Sequence, residues 1–273
     1  MFDASPPALP RSASDPVGAA AAHPRVLLAG ARAAWIGPAL SLAMHRGAVA
    51  TVAVGLDAPF ALERPGRATR RTRLALVSPN EPHRVIASGP MAFVYLDALD
   101  DDVRRIDLAR PELTARRVVR ALAPGTDEAP DDAASRLDAL REALGVAPRA
   151  PSSAAVARVL RALDEWPDDF PTLAPAAALA GLSPSRFRHA FRDATGVPFR
   201  RYRLWRRMAA VARALGAGSD LTAAAAEAGF SSPSHLSAAF RRMFGLSPSA
   251  LLSAGTRFEI GAEGDPEAPA PLP

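Results

Sequence analysis

The chain has 273 residues, enough for one large domain or two ordinary ones, and 49% of them are hydrophobic, which supplies a true core. All 33 basic residues are arginine; against 28 acids they leave a net charge of +5, a balance that favours an anionic partner. The lack of cysteine excludes disulfides, thiol nucleophiles and cysteine-ligated zinc, and no apolar run reaches the ~18 residues of a membrane helix.

Residues 1–24, rich in Pro, Ala and Ser without a period, read as a disordered tail, and residues 256–273 read the same way. The opening MFDASPPALPRSASDP has an acid at position 3 and no apolar stretch. It does not read as a signal peptide, so a cytoplasmic protein with no membrane partner is expected.

Between residues 25 and 108 short apolar runs alternate with turn residues. The runs are Val26–Ala29, Ala33–Ile36, Ala48–Val54, Leu74–Val77, Arg84–Ala87 and Met91–Leu96. Gly30, Gly37-Pro38, Gly55, Pro65-Gly66, Pro79-Asn80 and Gly89-Pro90 punctuate them. This spacing predicts a small antiparallel β-barrel, although alanine fits a half-buried pleated surface poorly. Residues 109–165 read as a helical connector and a surface for a homodimer. Pro111–Leu122 opens with proline at a first helical position, and Asp131–Leu144 carries Leu137, Leu140 and Leu144 on one face. Ser152–Leu163 places Val156, Val159, Leu160 and Leu163 on one helical stripe.

Residues 166–255 contain an internal repeat. Ala180–Pro198 reads AGLSPSRFRHAFRDATGVP, and Ala228–Pro248 reads AGFSSPSHLSAAFRRMFGLSP. Phe187 pairs with Leu236, Phe191 with Phe240, Arg192 with Arg241 and Gly196 with Gly245. A short Ala-rich helix precedes each copy, capped by Thr172 and by Asp220. Helix, glycine turn, second helix is the helix-turn-helix layout, here twice, at 172–195 and 220–244. The expected fold class is therefore α+β, a β-barrel followed by an all-α domain.

In the first unit Phe187, Ala190, Phe191 and Ala194 form the buried face, while Ser185, Arg188, His189 and Arg192 line an outward stripe with Arg186 beside them. In the second, Leu236, Ala239, Phe240 and Met243 are buried and Ser234, Ser237, Ala238 and Arg241 face outward. A helix presenting serines and arginines can enter a major groove, where Arg reads guanine and Ser serves either base. His235 begins the second such helix, suited to a phosphate contact or to a cap. Between the units, Pro198–Leu215 reads as one helix spanning roughly 27 Å, near the ~34 Å between successive major grooves on one DNA face. Its arginines, Arg206 and Arg207 among them, are expected at phosphates.

These residues carry a resemblance. The stretch from about 150 to 256 resembles the AraC/XylS-type DNA-binding domain of bacterial transcription regulators, best at G-F-S-x-x-S-H-L-S…F-R-R-x-F-G-x-S-P within Ala228–Pro248. Arg207-Met208 and Asp220-Leu221-Thr222 fit family positions before it. The resemblance implies two helix-turn-helix units, double-stranded promoter DNA as partner and, for an activator, RNA polymerase. The chain departs from the family at Ala176 and Ala224, where Leu or Ile is common, and at His189 and Ala238, where Arg is frequent.

More faintly, residues 25–108 resemble the cupin-like sensor domain that precedes such domains. The residues are Met44-His45-Arg46, AVATVAVGLDAPFAL, Ser78–His83 and Phe93–Leu96. That implies a barrel holding a small-molecule effector or serving in dimerisation, with His45 and His83 as candidate effector contacts. A cupin enzyme needs a His-x-His pair on a strand, and two residues after His45 stands Gly47; nearby only Glu63, Glu81 and His83 could join a metal. No metal, no cofactor and no catalytic residue are expected. A cupin-type enzyme with a helical appendage and a non-specific architectural DNA-binding protein are the competing readings.

Overall fold

The structure, a computed structural model, describes residues 24–96, 101–122, 132–148, 153–165 and 170–261. Two sheets face each other. In chain order the strands are β1 (Arg25–Ala29), β2 (Arg32–Gly37), β3 (His45–Arg46), β4 (Ala50–Gly55), β5 (Phe60–Glu63), β6 (Arg70–Thr72), β7 (Leu74–Val77), β8 (Pro82–Ile86) and β9 (Met91–Leu96). Two-residue β10 (Asp101–Asp102) pairs with β11 (Ala147–Pro148), and β12 (Arg257–Ile260) comes last. The larger sheet runs β12-β1-β2-β9-β4-β7 and the smaller β3-β8-β5-β6. The expected barrel is therefore open: no strand pairing joins the two sheets among the described residues.

The chain turns from β1 to β2 over Gly30-Ala31, where Gly30 takes a φ of 58°, a left-handed value glycine adopts without cost. Every residue of β4 is buried. One face of the larger sheet, including Leu27, Ile36, Val52 and Val94, meets helices α1 (Pro111–Leu122) and α2 (Ala133–Leu144) through Val118, Leu137, Leu140 and Leu144. The opposite face, with Trp35, Ala53 and Phe93, packs against Phe60, Leu62 and Val85 of the smaller sheet. Alanine is tolerated because both faces are covered, so close packing of layers replaces pleat propensity.

The supposed connector is thus divided. α1 and α2 complete the N-terminal domain, whereas α3 (Ala154–Glu165) turns Val156, Val159, Leu160 and Leu163 into the core of the following helices. Those are α4 (Leu173–Leu179), α5 (Pro184–Thr195), α6 (Phe199–Gly216), α7 (Leu221–Glu227), α8 (Pro233–Phe244) and α9 (Pro248–Ser253).

The tail expected from residue 256 is corrected over its first part. Arg257–Ile260 forms β12, which pairs in parallel with β1, Arg25 opposite Arg257 and Leu28 opposite Ile260. The reason is an edge: without β12 the backbone of β1 is unpaired on one side, and Phe258 packs into the core between the sheets. The rest of that tail, and residues 1–23, lie outside the described residues.

Candidate nucleic-acid interface

The two units repeat in detail. Asp220 caps α7 by accepting from the Thr222 and Ala223 amides, both at 2.8 Å. Thr172 occupies the N-cap of α4 but makes no side-chain cap bond, so the expected symmetry of caps fails there. Each turn holds glycine in the left-handed region, Gly181 at φ 68° and Gly229 at φ 72°. The amide three residues beyond the helix then reaches back, Leu182 N–H to Ala177 C=O at 3.0 Å and Phe230 N–H to Ala225 C=O at 2.8 Å. α5 starts at Ser183, which accepts from Arg186 N–H, then Pro184; α8 starts at Ser232, which accepts from His235 N–H, then Pro233. Both helices end on left-handed glycines, Gly196 and Gly245.

Within that frame α5 buries Phe187, Phe191 and Ala194, while Ser185, Arg186, Arg188, His189 and Arg192 are exposed. On α8, Leu236, Ala239 and Met243 are buried. Ser234, His235, Ala238 and Arg241 are exposed and Ser237 is half-buried. His235 stays at the turn, with Nδ1 3.0 Å from Ser231 Oγ and its ring edge-on to Phe230. Phe240 differs from its counterpart. Phe191 closes a cluster with Phe187, Phe199 and Tyr202, whereas Phe240 is half-buried, stacked on Phe244 at 4.5 Å.

The phosphate roles expected for Arg206 and Arg207 are corrected. Arg206 is only 4% exposed. Arg207 donates to Ala228 C=O at 2.7 Å and lies 3.9 Å over the Phe230 ring, which ties α6 to the second turn. A helix at the centre of a bundle has little free face, so most of its arginines serve packing. Three others on α6 reach the N-terminal domain or the first unit: Arg201 to the Arg46 and Gly47 carbonyls, Arg213 to Gly30, Arg203 to Pro171. Arg200 is exposed.

That seam was not legible in the sequence. Trp205 Nε1 donates to Ala31 C=O at 3.2 Å, and its ring stacks on Tyr95 of β9 at 5.3 Å. Tyr95 meets Phe244 edge-on, and Ala43 N–H donates to Gly245 C=O at 2.8 Å. The N-terminal domain therefore holds the C-terminal end of α8.

Beneath the seam lies a cavity of about 100 Å³ walled by both domains, with Trp35 and Phe93 on one side and Trp205, Met208, Phe240 and Phe244 on the other. His45 and His83, opposite one another on β3 and β8, both line it, with ring centroids 4.2 Å apart. Their Nδ1 atoms sit 2.9 Å from Ala43 O and 3.0 Å from Glu81 O. A carbonyl only accepts, so each Nδ1 carries the proton and each neutral ring keeps Nε2 as an acceptor. Burial, and then the neighbouring His83, lower the His45 pKa to about 4; burial also lowers that of His83. Among the described residues no group of three or more His, Asp or Glu is placed to hold a metal.

Two helix-turn-helix units with outward serine and arginine faces, joined by a helix that docks on a two-sheet domain, define a DNA-binding transcription regulator. A family model described as a helix-turn-helix domain matches residues 176–254. The DNA-binding domain of AdpA, a global transcriptional factor solved with a target DNA, is 31% identical over 38% of this chain and 93% of that chain, with a TM-score of 0.33. A lysine-to-alanine variant of apo ToxT from Vibrio cholerae is 10% identical over 82% of this chain and 97% of that chain, TM-score 0.55. Wild-type ToxT bound to an unsaturated fatty acid, also from Vibrio cholerae, is 10% identical over 80% and 94%, TM-score 0.51. Comparison with curated proteins gives no match. Residues 176–254 therefore form an AraC-type helix-turn-helix domain, and over most of the chain the fold is similar to that of the ToxT structures.

Proposed function

We propose that this regulator binds a promoter with α5 and α8 in neighbouring major grooves and activates transcription under control of a small molecule held in the interdomain cavity. The carrying observation is the joint wall of that cavity: Phe240 and Phe244 belong to the second reading helix, so whatever fills the cavity bears directly on that helix. Ser185, Arg186, Arg188, His189, Arg192, Ser234, His235, Ser237 and Arg241 form the DNA face, with the arginines divided between guanines and phosphates. His45 and His83 contact the effector. The working division is a sensor formed by residues 25–148 with 257–260 and a DNA-binding domain over 153–255, acting in the cytoplasm on DNA and RNA polymerase, as a homodimer, without catalytic chemistry. The fatty acid of ToxT supports the idea of a ligand-bearing domain in this architecture.

The test is selection of bound sequences from random duplexes, followed by affinity against salt. A defined bipartite site bound at least about 10³-fold above random DNA supports the reading, since specific sites exceed non-specific binding by that factor or more. Equal affinity for all sequences, with only a salt slope, favours the architectural alternative.

A further inference from the structure

The lining of the interdomain cavity contains no arginine, aspartate or glutamate among the described residues, although the chain is rich in all three. The wall is apolar apart from a few atoms. Trp35 is only 4% exposed, and its indole N–H meets no acceptor among the described residues. A buried donor without a partner costs about 1–3 kcal/mol, so native proteins rarely keep one without a use for it. The other polar side-chain groups are the Nε2 acceptors of neutral His45 and His83, the Thr51 hydroxyl, already donating to Val49 C=O, the Trp205 indole, already donating to Ala31 C=O, and the Tyr95 phenol, which burial holds protonated. The volume of about 100 Å³ is of the order of the ~150 Å³ apolar cavity that takes up benzene.

We propose that this cavity takes a neutral, ring-sized, mainly apolar molecule that offers a hydrogen-bond acceptor to Trp35 Nε1–H and a donor to a histidine Nε2, and that it rejects carboxylates of the same shape. The proposal rests on reading the cavity as the effector site and names the chemical class of the effector. A carboxylate entering here would lose its hydration without meeting a cation, a loss that a single indole donor does not offset. A carbonyl loses far less and satisfies the indole. Because the histidine pair is uncharged near neutral pH, it adds no attraction for an anion.

Benzamide, benzoate and toluene separate these factors. Benzamide and benzoate share a shape and differ in charge, while toluene keeps the ring without polar atoms. Dissociation constants are measured on the full chain at neutral pH by ligand-observed NMR, for the wild type and for Trp35→Phe, which keeps an aromatic ring and removes the donor. Benzamide is expected to bind at least about tenfold more tightly than benzoate. Trp35→Phe should weaken benzamide about tenfold and leave toluene within about twofold. Benzoate binding as tightly as benzamide overturns the proposal. So does benzamide insensitive to Trp35→Phe, a parallel loss of toluene, or no binding of either ring by the folded wild type. DNA binding by the same samples without any probe tests the regulator reading separately, and its failure would leave the ligand result standing.

Discussion

Arg188 and Arg207 look alike in sequence, two arginines on neighbouring helices of a basic domain, and burial separates them. Arg188 is exposed on α5 among Ser185, His189 and Arg192. Arg188→Ala should leave the melting temperature almost unchanged, cost about 1–3 kcal/mol of binding and relax preference at one base pair. A uniform loss across all sequences would show that it meets a phosphate instead. Arg207→Ala should do the opposite. It removes the bond to Ala228 and the stack on Phe230, so stability should fall by about 2 kcal/mol while base preferences stay as they are. Thermal unfolding beside a base-substitution scan distinguishes the two. The histidine pair yields a pH signature. Both pKa values are depressed in the folded chain, so between about 4 and 6.5 the unfolded chain binds more protons and stability falls as pH drops through that window. Melting temperatures from pH 7 to 4 should decline less steeply in His45→Gln; an identical slope would place the proton uptake elsewhere.

At the level of elements, amphipathic helices were legible and contacts distant in sequence were not. The stripe Val156, Val159, Leu160 and Leu163 is buried as its spacing required, and the glycine turns, Ser-Pro helix starts and glycine ends recur in both units because local backbone chemistry writes them directly. Short β12 has no such signature; only its pairing with β1 makes it a strand. The roles of Arg206 and Arg207 were hidden because arginine reads alike whether it meets solvent, a carbonyl or a ring. The same limit applies to Phe191 and Phe240, equivalent in the repeat but unequal in packing. Phe191→Ala should cost about 3–5 kcal/mol and Phe240→Ala distinctly less, since Phe240 already borders a cavity. Equal losses in chemical denaturation would contradict the difference in burial. The reading faces are unequal as well. On the outward stripe α5 carries Arg188 and Arg192 where α8 has Ser237 and Arg241, with Ala238 in place of His189, and bidentate Arg–guanine pairs dominate specific readout. The half-site under α5 should tolerate few substitutions and that under α8 many, and Ala238→Arg should create a new preference in the second half. Saturation of a footprinted site checks both.

Across the whole molecule, the DNA-binding helices are held to the N-terminal domain at several points: Trp205 on Ala31, Arg201 on Arg46, Gly245 on Ala43, and β12 on β1. A chain cut before residue 150 should still fold its double helix-turn-helix unit, because Phe187, Phe191, Tyr202 and Leu236 share one core. It should also expose Trp205 and Met208, which circular dichroism together with dye binding to apolar surface would detect. The pairing of β12 with β1 also orders events during synthesis. The partners stand more than two hundred residues apart, with the complete DNA-binding domain encoded between them. While the ribosome is still translating those helices, one edge of β1 stays uncovered, and unpaired strand edges are where nascent chains stick to one another. The larger sheet gains its final strand only after the helix-turn-helix units have emerged, so a transcript truncated within them leaves an N-terminal domain with an adhesive edge.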